Sequence, residues 1–113
     1  MENVKLTQLN NGLKVVTKTM ENLNSVVLGY WVRVGGVCED SSNYGISHFL
    51  EHMLFKGTSN RTAQQIADEF ESVGGYINAY TARETTAYYA KFLKEDTNMA
   101  IDILSDMLQN SLI

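Results

Sequence analysis

Glycine pairs and one Asn-Gly step, with no proline anywhere, cut this chain into short elements and limit the folds open to it. Asn10-Asn11-Gly12 lies between two strand-like stretches, Val4 to Leu9 and Leu13 to Met20. Both residues of an Asn-Gly step tolerate positive φ, so a tight β-hairpin is predicted there. Gly35-Gly36 ends a third strand, Ser25 to Val34. That stretch is apolar on both faces, which suits a strand in the middle of a covered sheet. Gly74-Gly75 supplies the stop for a helix whose start is marked by Thr62 and Gln65 at capping-box spacing.

Within that helix Ala63, Ile66, Ala67, Phe70 and Val73 recur at helical intervals. An earlier helix is predicted from Tyr44 to Phe55, with Ile46, Phe49, Leu50, Met53 and Leu54 as its apolar stripe. The polar loop Glu39 to Asn43 offers it several candidate caps. Tyr76 to Thr81 and Thr85 to Leu93 read as paired strands. Asp96 then caps a last helix carrying Met99, Ile101, Ile103, Leu104, Met107 and Leu108. The order of strands, helix, helix, strands and helix predicts an α+β fold, a mostly antiparallel sheet with helices packed on it. No linker or repeat interrupts residues 1–113, which read as one unit.

The net charge is -4 and the nine Lys and Arg form no run, so there is no basic surface for a nucleic-acid backbone. Tyr76, Tyr80, Tyr88, Tyr89 and Phe92 lack basic company and read as sheet and core, not as base-stacking platforms. The longest apolar stretch, Val26 to Val34, is too short to span a bilayer. The N-terminus has neither a secretory nor a transit layout. A lone cysteine, Cys38, cannot form an internal disulfide. A soluble cytoplasmic chain with no membrane partner is expected, with the mitochondrial matrix as the alternative.

The chemistry concentrates in His48-Phe49-Leu50-Glu51-His52. Two histidines at i and i+4 lie on one helix face, so both imidazoles can reach one ion. Glu51 falls near the same edge, where a carboxylate can hold a metal-activated water without filling a metal position. Imidazoles with carboxylate support suit Zn²⁺, which lowers the pKa of its water to near ~7. Glu51 is then the candidate general base. The bland alternative is a helix decorated with surface polar residues. Cys38, ten residues before His48, reads either as a further soft ligand or as a small buried hydrophobe.

H-x-x-E-H is the inverted order of the common zinc-protease helix motif. With its flanks, Asn43 to Thr58, it resembles the pitrilysin (insulinase) family, most closely the branch of the mitochondrial processing peptidase β subunit and its bacterial relatives. The block Gly74 to Tyr89, which includes Asn78-Ala79-Tyr80-Thr81, is similar to the same branch. The resemblance implies a zinc endopeptidase in which His48 and His52 are ligands and Glu51 is the base. It implies that Asn78, Ala79 and Tyr80 lie on an edge strand that pairs with a peptide or presequence-like substrate. Read from the residues alone, Asn78 is a plain turn or strand residue.

The family takes its third protein ligand from a glutamate roughly 75 residues beyond its second histidine. Gln109 to Ile113 resembles the lead-in to that segment, and Glu84 does not stand in the ligand position. The chain is therefore expected to be the N-terminal part of one half of a two-half domain, weak in zinc binding and nearly inactive alone. A homodimer or a partner subunit is an expected companion. A non-catalytic peptide-binding subunit and a structural remnant are the competing readings. The intact trio speaks against the first.

Overall fold

Strand and helix positions follow the order of the glycine breaks. A computed structural model describes residues 3–112. Met1, Glu2 and Ile113, which end the stretches read above for a leader and for the ligand lead-in, lie outside the described residues. The elements are β1 (Val4–Gln8), β2 (Lys14–Lys18), β3 (Ser25–Val32), α1 (Ile46–Leu54), α2 (Ala63–Glu71), β4 (Tyr76–Thr81), β5 (Thr86–Leu93) and α3 (Thr97–Gln109).

The pair β1 and β2 forms the predicted antiparallel hairpin. Its turn is a three-residue loop: Leu9 N donates to Leu13 O at 2.8 Å and Gly12 N to Leu9 O at 2.9 Å. Of the Asn-Gly step only Gly12 takes positive φ, at 93°. A left-handed residue at the end of such a loop is the usual way to close it.

The second sheet has the order β3-β5-β4, antiparallel throughout. This corrects the expectation that β3 lies in the middle. Among the described residues the central strand is β5, and β3 is an edge. Apolar residues on both faces mark surfaces that want cover; they do not rank a strand within its sheet. On one face Val26, Leu28, Tyr30, Ile77 and Ala79 join Tyr88, Ala90 and Phe92 against the helices. There Ile66 and Phe70 of α2 meet Ala100, Ile103, Leu104 and Met107 of α3, all buried. On the other face Trp31 is 62% exposed.

Two helices begin differently from each other. At α2 the capping box forms as predicted: Thr62 Oγ1 accepts from Gln65 N at 3.1 Å, and Gln65 Oε1 from Thr62 N at 2.8 Å. Gly74 ends the turn after it with φ 72°, and Gly75 N donates to Phe70 O at 2.9 Å. At α3, Asp96 makes no side-chain cap. Its φ of -100° and ψ of 11° belong to the preceding 3-10 turn, and a capping side chain needs an extended backbone. Thr97 Oγ1 instead donates to Lys94 O at 2.6 Å. Among the described residues no helix is long and apolar enough to cross a membrane.

One polar knot joins α3 to the α1–α2 connection. Arg61 reaches Glu69 at 3.0 Å, Asp102 at 2.6 Å and Asp106 at 2.9 Å. Asp106 is buried and also accepts from Thr58, Asn60 and Asn110. Burial opposes ionisation of Asp106. The bonds from Thr58, Asn110, Asn60 and Arg61 outweigh it and hold the carboxyl well below its ordinary range. Asp106→Ala should lower unfolding free energy by ~2–3 kcal/mol in urea titration, since it leaves buried donors unmatched. Because the folded pKa is depressed, this contribution is present above the unfolded value of about 3.9 and fades as pH falls below it. The wild type should therefore lose more stability than the variant on acidification.

Candidate metal centre

Helix α1 starts at Gly45, whose φ of 87° is left-handed. Its first N–H groups are met from the polar loop Glu39 to Asn43, as the sequence suggested, but not by the short side chains there. Asp40 and Asn43 bond within that loop. Glu39 does the capping from six residues before: Oε1 accepts from Gly45 N and Oε2 from Ser47 N, both at 2.8 Å. The bonds from Gly45, then Ser47, pull the Glu39 carboxyl below its ordinary range. A carboxylate at a helix N-terminus also complements the helix dipole.

The predicted apolar stripe of α1 faces outward over most of its length. Ile46, Phe49 and Leu50 are exposed, while Met53 and Leu54 are half-buried. Only Glu51 is buried in this helix, at 7% exposure. The inward face is narrow because α1 meets the sheet through Glu51 and, at its end, through Leu54 and Phe55.

His48 and His52 stand on the exposed side, one turn apart. Their Nε2 atoms are 2.9 Å apart and their rings meet edge-on, with centroids at 4.4 Å. Donor atoms of His48, Glu51 and His52 all lie within 4.8 Å of one another. Among the described residues this is the one convergence of three or more His, Cys, Asp or Glu donors. Two ligand bonds of about 2.0–2.1 Å can close on one ion across the His–His gap, so the donor set fits Zn²⁺. Cys38 is exposed at the end of the 3-10 turn Gly36–Cys38, outside this group. It is not the small buried hydrophobe that the sequence offered as one reading. Glu84 lies exposed in the β4–β5 turn, also outside the group.

Glu51 is met from the sheet by Thr81, whose Oγ1 donates to Glu51 Oε2. Tyr88 lies buried nearby. Burial, and secondarily the charge of Glu51, push its phenol up to about 12. Sequence reasoning gave Thr81 no role beside Glu51, and read Tyr88 only as sheet and core and Glu39 only as part of a capping loop. For Thr81 a signal was available: it shares the inward face with Ile77 and Ala79, so a hydroxyl there breaks an apolar pattern.

Asn78, Ala79 and Tyr80 lie in β4, which pairs with β5 on one side and has an unpaired second edge among the described residues. Asn78 Oδ1 accepts from Ala79 N at 2.8 Å. Tyr80 accepts from Trp31 Nε1 at 3.3 Å and stands 6.3 Å from the Tyr89 ring.

The sequence profile of the insulinase family, peptidase family M16, matches residues 14–113. The chain belongs to this family. That bears out the resemblance drawn from the two motif blocks. This insulinase-family chain is 50% identical to an uncharacterized zinc protease of Rickettsia felis, covering 98% of itself and 27% of that protein. It is 47% identical to the mitochondrial-processing peptidase subunit beta of Saccharomyces cerevisiae, covering 96% of itself and 24% of that subunit. The crystal structure of a protease from Helicobacter pylori matches it with a TM-score of 0.92 at 27% identity, over 97% of this chain and 27% of that one. The chain thus spans about a quarter of the length of these relatives.

The loop before α1 is tied to the turn after Thr81. Gly36 N donates to Ala82 O at 3.1 Å and Val37 N to Arg83 O at 2.7 Å. A Cβ at Gly35 would lie 2.1 Å from Ala82 O, so no side chain fits there. Gly35→Ala should cost about 1–3 kcal/mol by overpacking. Faster hydrogen exchange at Gly36 and Val37 should accompany it; unchanged exchange would show that the tie survives the added methyl.

Proposed function

We propose that this chain carries the catalytic turn of a zinc-dependent endopeptidase, with His48 and His52 as metal ligands and Glu51 as general base. The convergence of their donor atoms within 4.8 Å carries the reading, with the two imidazoles open to solvent and the acid held beneath them. The zinc proteases among the relatives support it. When bound, the ion activates a water as nucleophile and polarises the carbonyl to be cleaved. Glu51 would serve as the general base and acid beside the ion, accepting a proton from the attacking water and passing it to the leaving amine. His48 and His52 would each offer a ring-nitrogen lone pair to the ion.

Asn78, Ala79 and Tyr80 receive an extended peptide along the open edge of β4. Peptide carbonyls there compete with Asn78 Oδ1 for the Ala79 N–H, and backbone pairing accepts varied sequences. A presequence-like segment is the substrate class that this reading carries over from the family resemblance, in keeping with a relative named as a mitochondrial-processing peptidase subunit. In this reading residues 1–113 are part of a pitrilysin-type catalytic domain acting in the cytoplasm or the mitochondrial matrix. A third metal donor comes from outside the described residues, on the same polypeptide, a second copy or a partner subunit.

Two imidazoles hold zinc weakly, so the 113-residue chain should bind it weakly and hydrolyse a quenched peptide barely at all. His48→Ala and His52→Ala should each weaken zinc binding by more than about ten-fold in competition titrations. Glu51→Gln should not weaken it, while removing whatever hydrolysis is measurable. Zinc binding indifferent to both histidine changes would defeat the reading. Nanomolar binding with turnover would move the missing donor to a second copy of the chain.

A further inference from the structure

Nothing in the distances alone stops Glu51 from becoming a metal ligand. Its carboxylate oxygen belongs to the same 4.8 Å group as the two imidazole nitrogens, and carboxylates bind Zn²⁺ well. An acid spent on the ion cannot serve as base. We propose that Thr81 is a positioning residue whose hydroxyl, donated to Glu51 Oε2, keeps that carboxylate out of the metal's ligand set and free for proton transfer. This inference rests on the zinc reading above and deepens it.

The contact has the character of a fixed constraint. A hydrogen bond to a charged acceptor is of the stronger kind, and Glu51 is buried, so abandoning its donor is costly. Thr81 is itself held in place. It pairs with Thr86 in the ladder, and Ala82 N closes the turn on Thr85 O at 2.8 Å. Thr86 Oγ1 donates to Val34 O at 2.8 Å, and the turn carbonyls accept from Gly36 and Val37. On the other side Glu39 pins the start of α1. Both partners of the bond are thus anchored through the same short stretch, residues 34–47.

The test uses zinc alone, in competition with a chromophoric chelator, on the 113-residue chain. Thr81→Val keeps the side-chain shape and removes the hydroxyl; Thr81→Ser keeps the hydroxyl; Thr81→Ala repeats the loss with less bulk. The Val and Ala variants should bind zinc on the order of ten-fold more tightly than wild type, since the released carboxylate joins the imidazoles. The Ser variant should match wild type. Adding Glu51→Gln to Thr81→Val should erase the gain. With Co²⁺ in place of zinc, the visible spectrum of the Val variant should shift and that of the Ser variant should not. Circular dichroism checks folding, and should Thr81→Val not fold, the Ala and Ser pair decides. Val and Ala variants that fold yet bind zinc no more tightly than wild type overturn the role of Thr81, while a loss on His48→Ala leaves the zinc reading standing. Binding that ignores His48→Ala in every background overturns both.

Discussion

A carboxylate can be buried only where donors await it, and the placement of Glu51 governs how the rest of the centre is arranged. An unpaired charge in such a position costs several kcal/mol, so α1 cannot turn freely about its axis. Thr81 supplies the donor, and the helix settles with Glu51 toward the sheet. Once that is fixed, residues three before and one after Glu51 present their imidazoles to solvent on the same side. Asp106 shows the same rule where no chemistry is at stake. Its donors come from Thr58, Asn60 and Arg61 in the connection before α2 and from Asn110 just after its own helix, and they tie that connection to α3.

Local signals in the sequence proved sufficient for element type. The capping box of Thr62 and Gln65, the stop at Gly74-Gly75 and the span of β4 were all legible, because each depends on neighbours within a few residues. The one-turn spacing that brings His48 and His52 together was legible for the same reason, being a property of one helix turn. What escaped was set by distant contacts. The cap on α1 comes from the loop read as offering one, but from Glu39, whose long side chain reaches six residues ahead and beyond the short-side-chain rule. The outward turn of Ile46, Phe49 and Leu50 follows from a bond to a strand 30 residues away. The edge position of β3 follows from strand order, to which alternation is blind.

Those outward residues have a physical meaning of their own. Phe49 and Leu50 on α1, and Val27 and Trp31 on the open face of the sheet, form apolar surface of the kind that marks a contact with further protein. Relatives about four times as long have ample chain to cover such faces. An apolar pattern therefore records where cover is wanted across a whole protein, and a short stretch displays the pattern with part of the cover in view.

Trp31 also gives the molecule a natural optical probe. It is the sole tryptophan in the sequence, its ring lies over Gly29, and its indole N–H is bonded to Tyr80 on the open strand. Indole emission responds to the loss of a hydrogen bond and to changes in surrounding polarity. A ligand touching Tyr80 would disturb the indole through this bond, so its binding could be followed by fluorescence without attaching any dye.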